Sequence, residues 1–449
     1  MISQTVKPFL NRSPFLVLFA LIASTSLAEN LEEIYRKAVV HDPVYIGSQY
    51  TQEAAVESLA QAKSNYLPNV VLDIERTETT QDIISSDNNV YQTGRTSFPT
   101  NSYTLKLTQP LFQWSSIVRI RQAEVESKKA ELEYLKARQE LMLRVSERYM
   151  NILAAQDALA FSSAEKAAVK RQLDLASARH DMGLARKTDK LDAEARYAWV
   201  HSTSVENQFA LADAKQELTE SIGSQVNILA GLKEKIVLES PSPQNLQVWV
   251  EQATTANPDL LLQRYAVEIA RHEMDRQRAG HMPTVDLVVR QNYRETQGTL
   301  FGGGSEIVNR DLLLRLSVPI YEGGYTSSRT REAAALYAKA RQELEQITRA
   351  ITRETTSAYH GVISSISKVE ALQQTLVAQE RTLEAKRQGF KSGLNTNIQV
   401  LDAERDLFQA KKDYAQSRYD YLINSLRLKK VTNNLAEQDI LSLNKWLKN

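Results

Sequence analysis

The chain has 449 residues, and its 55 Lys and Arg nearly balance its 54 Asp and Glu, so it lacks the basic surface of a nucleic-acid-binding protein. It has no cysteine, which excludes disulfides, thiolate metal ligands and the acylation site of a lipoprotein. Only 15 glycines and 11 prolines accompany 24% charged residues, a composition typical of long helices rather than of three globular domains.

The N-terminus has the pattern of a secretory signal peptide, 1–28. Lys7 and Arg12 give it a positive start, 15–23 is a short apolar run, and 26–28 supplies the small residues of a cleavage site. The alternative, a membrane anchor, is disfavoured because the apolar run is too short to span a bilayer. We therefore expect an exported protein.

The remaining chain reads as one structural unit written twice, at an offset of about 210 to 215 positions. Asp-Pro at 42–43 is echoed by Asn-Pro at 257–258, and Leu-Asp-Ala-Glu at 191–194 is repeated at 401–404. Repetition on this scale decides the fold. It predicts a first repeat over 29–240 and a second over 241–449.

Each repeat predicts the same series of elements. Helices at 31–41 and 43–65 are followed by a β-hairpin at about 70–111 and a long helical hairpin at about 112–232. The second series is 246–256, 258–280, a β-hairpin at about 284–320, a helical hairpin at about 325–430 and a C-terminal equatorial tail. Alternating apolar and polar residues predict the strands, and long proline-free stretches predict the helices. The offset predicts a longer loop within 82–100 of the first copy.

The last long helix carries two adjacent heptad stripes. The first stripe is Val400, Leu407, Tyr414, Tyr421 and Leu428, and the second is Leu401, Phe408, Ala415 and Leu422. Two stripes predict packing against a neighbour on each side, as in a ring of helices. An ordinary buried helix of a bundle remains the alternative.

Four strands are too few to close a barrel in a membrane, and open sheet edges are not tolerated in lipid. If the strands insert, several copies must therefore join. Two copies would supply eight strands and three copies twelve.

In the order and spacing of its motifs, the chain resembles the TolC family of outer-membrane efflux and secretion channels, from about Leu31 to Leu443. The motifs include Asn-Pro-Asp-Leu at 257–260, Leu-Ser-Val-Pro-Ile-Tyr-Glu-Gly-Gly at 316–324 and Gly-Phe-Lys-Ser-Gly at 389–393. The resemblance implies a mainly α fold with a membrane β-barrel contribution. Long α-helical hairpins would form an α-barrel tunnel, and each protomer would add four transmembrane strands.

The same resemblance implies a homotrimer in the outer membrane that extends into the periplasm. It implies a passive exit duct for a tripartite efflux pump or a type I secretion system. Its partners would be outer-membrane lipid, a periplasmic adaptor protein and an inner-membrane pump of the ABC, RND or a similar class. An equatorial belt would include 233–250 and the tail after Val431.

In the family, acidic residues line a constriction at the periplasmic tip. The matching positions here are Gln399 and Asp402, so a trimer would carry one ring of three carboxylates. The alternative is that Asp402 lies in the first turn of a helix, where a carboxylate interacts favourably with the helix dipole.

The family also holds its closed tip with a polar latch. Thr188 and Asp189 match one side, but Phe390 and Asn395 stand where the other side has a tyrosine and an arginine. We therefore expect a closed state held by fewer ionic contacts, which opens more easily. The alternative is that Thr188 and Asp189 only cap a helix.

No catalytic, cofactor or metal site is expected, because the six histidines have no metal-ligand spacing and no nucleophile or acid–base pair stands out. Two other protein classes also use long helices: a periplasmic adaptor, or membrane fusion, protein and a structural coiled-coil envelope protein. The duplicated hairpin and the alternating strands disfavour both. The sequence does not identify the cargo.

Overall fold

The computed structural model describes residues 28–85, 93–298 and 303–448; the expected signal peptide, apart from Ala28, lies outside them. In chain order, the first elements are α1 Leu31–His41, α2 Pro43–Ser64, β1 Asn69–Ile83, β2 Gly94–Phe112, α3 Trp114–Asp181 and α4 Lys187–Ile222. They are followed by α5 Leu246–Ala256, α6 Pro258–Arg278, a 3₁₀ turn Ala279–His281, β3 Thr284–Thr296, β4 Ser305–Ser317, α7 Tyr325–Lys391, α8 Asn397–Val431 and α9 Glu437–Asn444. The division between repeats at 240 and 241 stays a prediction.

The echoed X-Pro pairs are helix-capping sites. Asp42 is buried and its side chain accepts a 2.9 Å hydrogen bond from the Tyr45 N–H, while Pro43 opens α2. Asn257 caps α6 in the same way, and its Nδ2 also donates to the Val431 carbonyl at 2.8 Å. Proline suits the first helical position because its missing N–H has no partner there. Each pair therefore fixes the corner between two helices.

The four strands form one antiparallel sheet in the order β1-β2-β3-β4. Successive residues point to opposite faces, so the alternation of the sequence gives one apolar and one polar face. Leu312, Leu314 and Leu316 of β4 lie on the apolar face and are each more than 60% exposed. On the polar face, Arg290 pairs with Asp311 at 2.7 Å. This confirms the predicted two-faced strands.

The first β-hairpin is longer than the second. Its strands contain 15 and 19 residues, against 13 and 13 in β3 and β4. Part of the extra length predicted for a loop within 82–100 thus belongs to β1 and β2, whereas 86–92 lies outside the described residues.

The sheet and the long helices form a wall about four elements wide. Below the sheet, α2 packs on α3, α3 on α6, and α6 on α7. Farther down, α4 packs on α3, α3 on α8, and α8 on α7. One side of the wall therefore consists of β1, α2 and α4, and the other of β4 and α7.

The two heptad stripes of α8 face two different neighbours. Val400 and Leu407 pack with Leu383 of α7. Leu401 packs instead with Val169 of α3 and Val200 of α4. Packing on both sides is what the paired stripes predict.

The first helical hairpin stops at Ile222 and does not run on to position 232, because Gly223 adopts a left-handed conformation with φ 67° and ends α4. The next segment, 223–245, forms a strap that contacts the C-terminal tail. Lys233 N–H donates to the Trp446 carbonyl at 2.8 Å, and Lys448 N–H to the Gly231 carbonyl at 2.7 Å. The two segments expected to form an equatorial belt thus lie against each other.

The largest hydrophobic core lies at this level. It joins α1, α3, α8, α9 and the strap, and Tyr149 at its centre is fully buried. The Tyr149 hydroxyl donates to the Ala230 carbonyl at 2.8 Å. Within the described ranges, no helix has the combination of length and apolarity needed to cross a bilayer.

Candidate gate at the hairpin tips

The two long helical hairpins turn through the same backbone motif. In the first, Leu184 N–H donates to the Arg179 carbonyl and Gly183 N–H to the His180 carbonyl, both at 2.8 Å. In the second, Leu394 N–H donates to the Gly389 carbonyl at 2.8 Å and Gly393 N–H to the Phe390 carbonyl at 3.1 Å. These are Schellman turns, which require a left-handed residue. Gly183 and Gly393 supply it, with φ of 75° and 77°.

After the turns, the two copies differ in how the next helix begins. The N-cap of α4 is Arg186, and it makes no side-chain capping bond. Thr188 and Asp189 are therefore inside the first turn of α4, and the alternative in which they act as an N-cap is wrong. Thr188 is exposed and Asp189 is half-buried. The Asp189 carboxylate there interacts favourably with the N-terminal end of the helix dipole.

The second copy has a complete capping box. Thr396 caps α8: its Oγ1 accepts from the Gln399 N–H at 3.3 Å, and Gln399 Oε1 accepts from the Thr396 N–H at 3.0 Å. Gln399 therefore uses its carbonyl oxygen to fix the start of the helix. In this conformation the Gln399 side chain stabilises the start of α8, and its position in a pore stays a prediction.

Asp402 lies in the second turn of α8, because the helix begins at Asn397. The alternative that placed it in the first turn is wrong. Its carboxylate is 55% exposed and lies 3.4 Å from the Arg405 guanidinium, which also pairs with Asp406 at 2.7 Å. Arg405 is shared between two carboxylates, so Asp402, Arg405 and Asp406 together carry one net negative charge.

The two tips meet in a cleft of about 310 Å³ that lies between the hairpins. Asp189 and Phe390 both line it, so the structure brings together one residue from each side of the expected latch. Arg179 lies over the Phe390 ring, and its guanidinium carbon is 5.1 Å from the ring centroid. Arg179 was missed by the sequence analysis, although it stands where the second copy has Gly389.

Asn395 does not reach the cleft partners. Its Nδ2 donates to the Lys386 carbonyl at 3.3 Å and covers Gly389, where a Cβ would come within 2.0 Å of it. Among the described residues, no hydrogen bond or ion pair joins Asn395 to Thr188 or Asp189. The side of the latch that lacks arginine is therefore turned toward its own hairpin.

Above the tips, each hairpin contains an ion pair whose carboxylate is buried. Arg196 of α4 donates to Glu165 of α3 at 2.9 Å, and Arg387 of α7 donates to Glu404 of α8 at 2.8 Å. Burial raises the pKa of Glu165 from its usual value, against the attraction of Arg196; the nearby Glu404 carboxylate also raises it. Glu404 Oε2 and Arg196 Nε are buried without a hydrogen-bond partner. The α3–α8 interface thus holds two carboxylates that influence each other.

No cluster of three or more His, Cys, Asp or Glu side chains with metal-binding geometry occurs in the described part of the chain. The arrangement at the tips offers charge, packing and hinge-like turns. It positions no group as a nucleophile or a proton shuttle.

The sequence of this chain matches one protein family and several known proteins. The model of the outer membrane efflux protein family matches residues 47–224 and 249–434. The outer membrane protein TolC of Vibrio cholerae is 31% identical over 429 residues, which is 95% of this chain and 96% of that protein. The alkaline protease secretion protein AprF of Pseudomonas aeruginosa is 26% identical, over 94% of this chain and 88% of its own length.

Solved structures agree on the fold. The CmeC outer membrane channel of Campylobacter jejuni superposes with a TM-score of 0.77 at 14% identity and covers 99% of this chain and 98% of its own. CusC gives a TM-score of 0.75 at 16% identity, over 90% of this chain and 92% of its own. The mainly α fold with long helical hairpins and a four-stranded sheet is therefore confirmed.

Proposed function

Because this chain belongs to the outer membrane efflux protein family, we propose that three copies of it close into a passive duct from the periplasm across the outer membrane. Membership of the family gives the outer-membrane location and the role of an exit duct for efflux or type I secretion. The family is one of channels, so the alternatives of an adaptor and of a structural coiled-coil protein are set aside. The number of copies is the proposal.

The observation that carries it is the pair of open edges along the wall. β1 and β4 end the sheet, and each leaves a row of backbone N–H and C=O groups without a neighbouring strand. Such groups cost several kcal/mol each in lipid when unpaired. Four strands are too few for closure, whereas three copies supply twelve, within the known range of membrane barrels.

The helical edges support the same closure. Trp199 and Phe209 on α4 are 54% and 70% exposed, and Leu336 and Val377 on α7 are 52% and 43% exposed. Apolar side chains on both outer helices favour burial against another copy. An α4 edge placed against the α7 edge of the next copy would continue the ring of helices below the sheet.

The partners follow from the same scheme. A passive duct needs an energy source, so we propose that a periplasmic adaptor and an inner-membrane pump of the ABC, RND or a similar class deliver the cargo. Relatives named for protease secretion and for efflux both match over most of this chain, so the proposal covers either kind of cargo.

For the gate, we propose that the closed tip is held mainly between the hairpins of one protomer. Phe390 packs under Arg179, Asp189 lines the same cleft, and Thr188 lies exposed beside it. Asp402, Arg405 and Gln399 would lie at the constriction of the trimer. Asn395 would join the latch only after its side chain leaves Gly389.

Envelope fractionation and native mass spectrometry test the proposal. A complex of three copies that leaves the outer membrane only with detergent supports it. A chain that is released without detergent, or that is extracted as a monomer or dimer, overturns it.

A further inference from the structure

The apolar face of the sheet would face lipid in the proposed duct. Strand register places its side chains in rows. One row runs from Val70 through Leu107 and Val289 to Leu312. The row two residues nearer the strand connections holds Leu72 and Leu105, but it ends in Gln291 and Arg310. The next row is apolar and aromatic again: Ile74, Tyr103, Tyr293 and Val308.

Arg310 is therefore a cation set within an apolar band. Its neighbours on the same strand face, Val308 and Leu312, are 50% and 74% exposed. Gln291 lies directly opposite, and both polar side chains are exposed. Within the described ranges, neither makes a side-chain hydrogen bond or an ion pair. Arg310 and Gln291 thus form a polar pair within an apolar surface.

The free-energy cost of placing Arg310 against lipid depends on its depth in the bilayer. A lipid-facing arginine costs about 2–4 kcal/mol at the middle of a bilayer and about 0–1 near its surface. Tyr103 and Tyr293, whose ring centroids are 5.8 Å apart, form the aromatic row that marks such a surface. Arg310 lies one row inward, about 7 Å along the strand. Its side chain is long enough to extend to the head groups.

Resting on the proposed function, we propose that Arg310 and Gln291 bind the phosphate head group of an anionic lipid in the leaflet nearest the strand connections. Guanidinium matches phosphate in two-pronged geometry, and the opposite amide supplies a further donor. A second copy is the other candidate occupant, since β4 is an edge strand. However, Leu72 is the residue of β1 in the same row, and the carboxylate nearest to it on this face, Glu78, is already 3.2 Å from Arg76.

The test uses the full chain reconstituted in phosphatidylcholine nanodiscs with and without lipid A, and counts retained lipid by native mass spectrometry. We expect Arg310→Gln to retain about fivefold less lipid A, which corresponds to the attraction of one arginine to an anionic surface. Arg294→Gln removes an exposed arginine from the polar face, three residues nearer the strand connections than Gln291, and should retain lipid A like the wild type. Arg310→Lys keeps the charge and should retain an intermediate amount.

The outcomes separate the two proposals. Equal retention by the wild type and Arg310→Gln overturns the lipid site and leaves the duct intact. Loss of the oligomer by Arg310→Gln in phosphatidylcholine alone also overturns it, because the arginine then pairs with a second copy. If the wild type itself fails to enter nanodiscs, the proposed duct fails.

Discussion

Arg179 of the first helical hairpin lies over the ring of Phe390 of the second, 5.1 Å from its centroid. The contact joins the two hairpins within a few residues of their turns, where the expected ionic latch is incomplete. A cation over an aromatic face contributes about 0.5–1 kcal/mol at an exposed site. Within one chain, the two hairpins are therefore joined near their turns by a weak contact.

Removal of either partner should open the channel more often. We expect Arg179→Met and Phe390→Leu each to raise the conductance of the isolated channel in planar bilayers, with a shift of up to about fivefold in the open-to-closed ratio. The double variant should add little to either single one, because both substitutions remove the same contact. Additive effects would show that the two residues act separately.

Asn395→Arg restores the side chain that the latch lacks. We expect it to lower the conductance, because an arginine that leaves Gly389 can pair with Asp189 across the cleft. In an Asp189→Asn background, the same substitution should have no such effect. Unchanged conductance in the otherwise wild-type chain would count against a latch at this position.

Alanine in place of glycine should have opposite effects at two positions, because one glycine is left-handed and the other is helical. Gly183→Ala should destabilise the tip by about 1 kcal/mol, because its φ of 75° is unfavourable for a residue with a Cβ. Gly361→Ala, inside α7 with no atom within 4 Å of the new Cβ, should instead stabilise the helix by about 0.5–1 kcal/mol. Hydrogen exchange of the amides around each site measures both.

Glu165 predicts a pH dependence. Burial raises its pKa in the folded protein, so its contribution favours the folded state at low pH and is lost as the pH rises through the raised pKa. Relative to the wild type, Glu165→Gln should therefore gain thermal stability as the pH rises above the usual range of a carboxyl group. The loss of its ion pair with Arg196 adds a further cost to the substitution. Glu194→Gln, an exposed control on α4, should follow the wild type at each pH.

The fold was largely predictable because its signals are local and repeated. The bounds of α5 match the expected 246–256, since Asn245 caps its start and the Asn257-Pro258 pair ends it. The end of the first helical hairpin was misjudged because Gly223 was not interpreted as the glycine that ends a helix. There, the left-handed backbone decides.

The gate was less predictable because it depends on contacts between distant segments. Asp189 and Phe390 were identified, but their spacing in sequence gives no sign of the cleft that they share with Arg179. The two alternatives that depended on the starts of α4 and α8 were also wrong. Arg186 makes no capping bond, so the capping pattern suggested by Thr188 and Asp189 misled, and α8 begins far enough upstream to put Asp402 in its second turn.

The central claim is that the α4 edge of one copy meets the α7 edge of the next. The chain has no cysteine, so an introduced pair can be read without background. Trp199 and Val377 are exposed on the two edges and lie equally far along their helices from Gly183 and Gly393. In a chain that carries Trp199→Cys and Val377→Cys, oxidation should yield a covalent trimer on a denaturing gel. Monomers alone after oxidation, or dimers that never extend to trimers, would contradict the account.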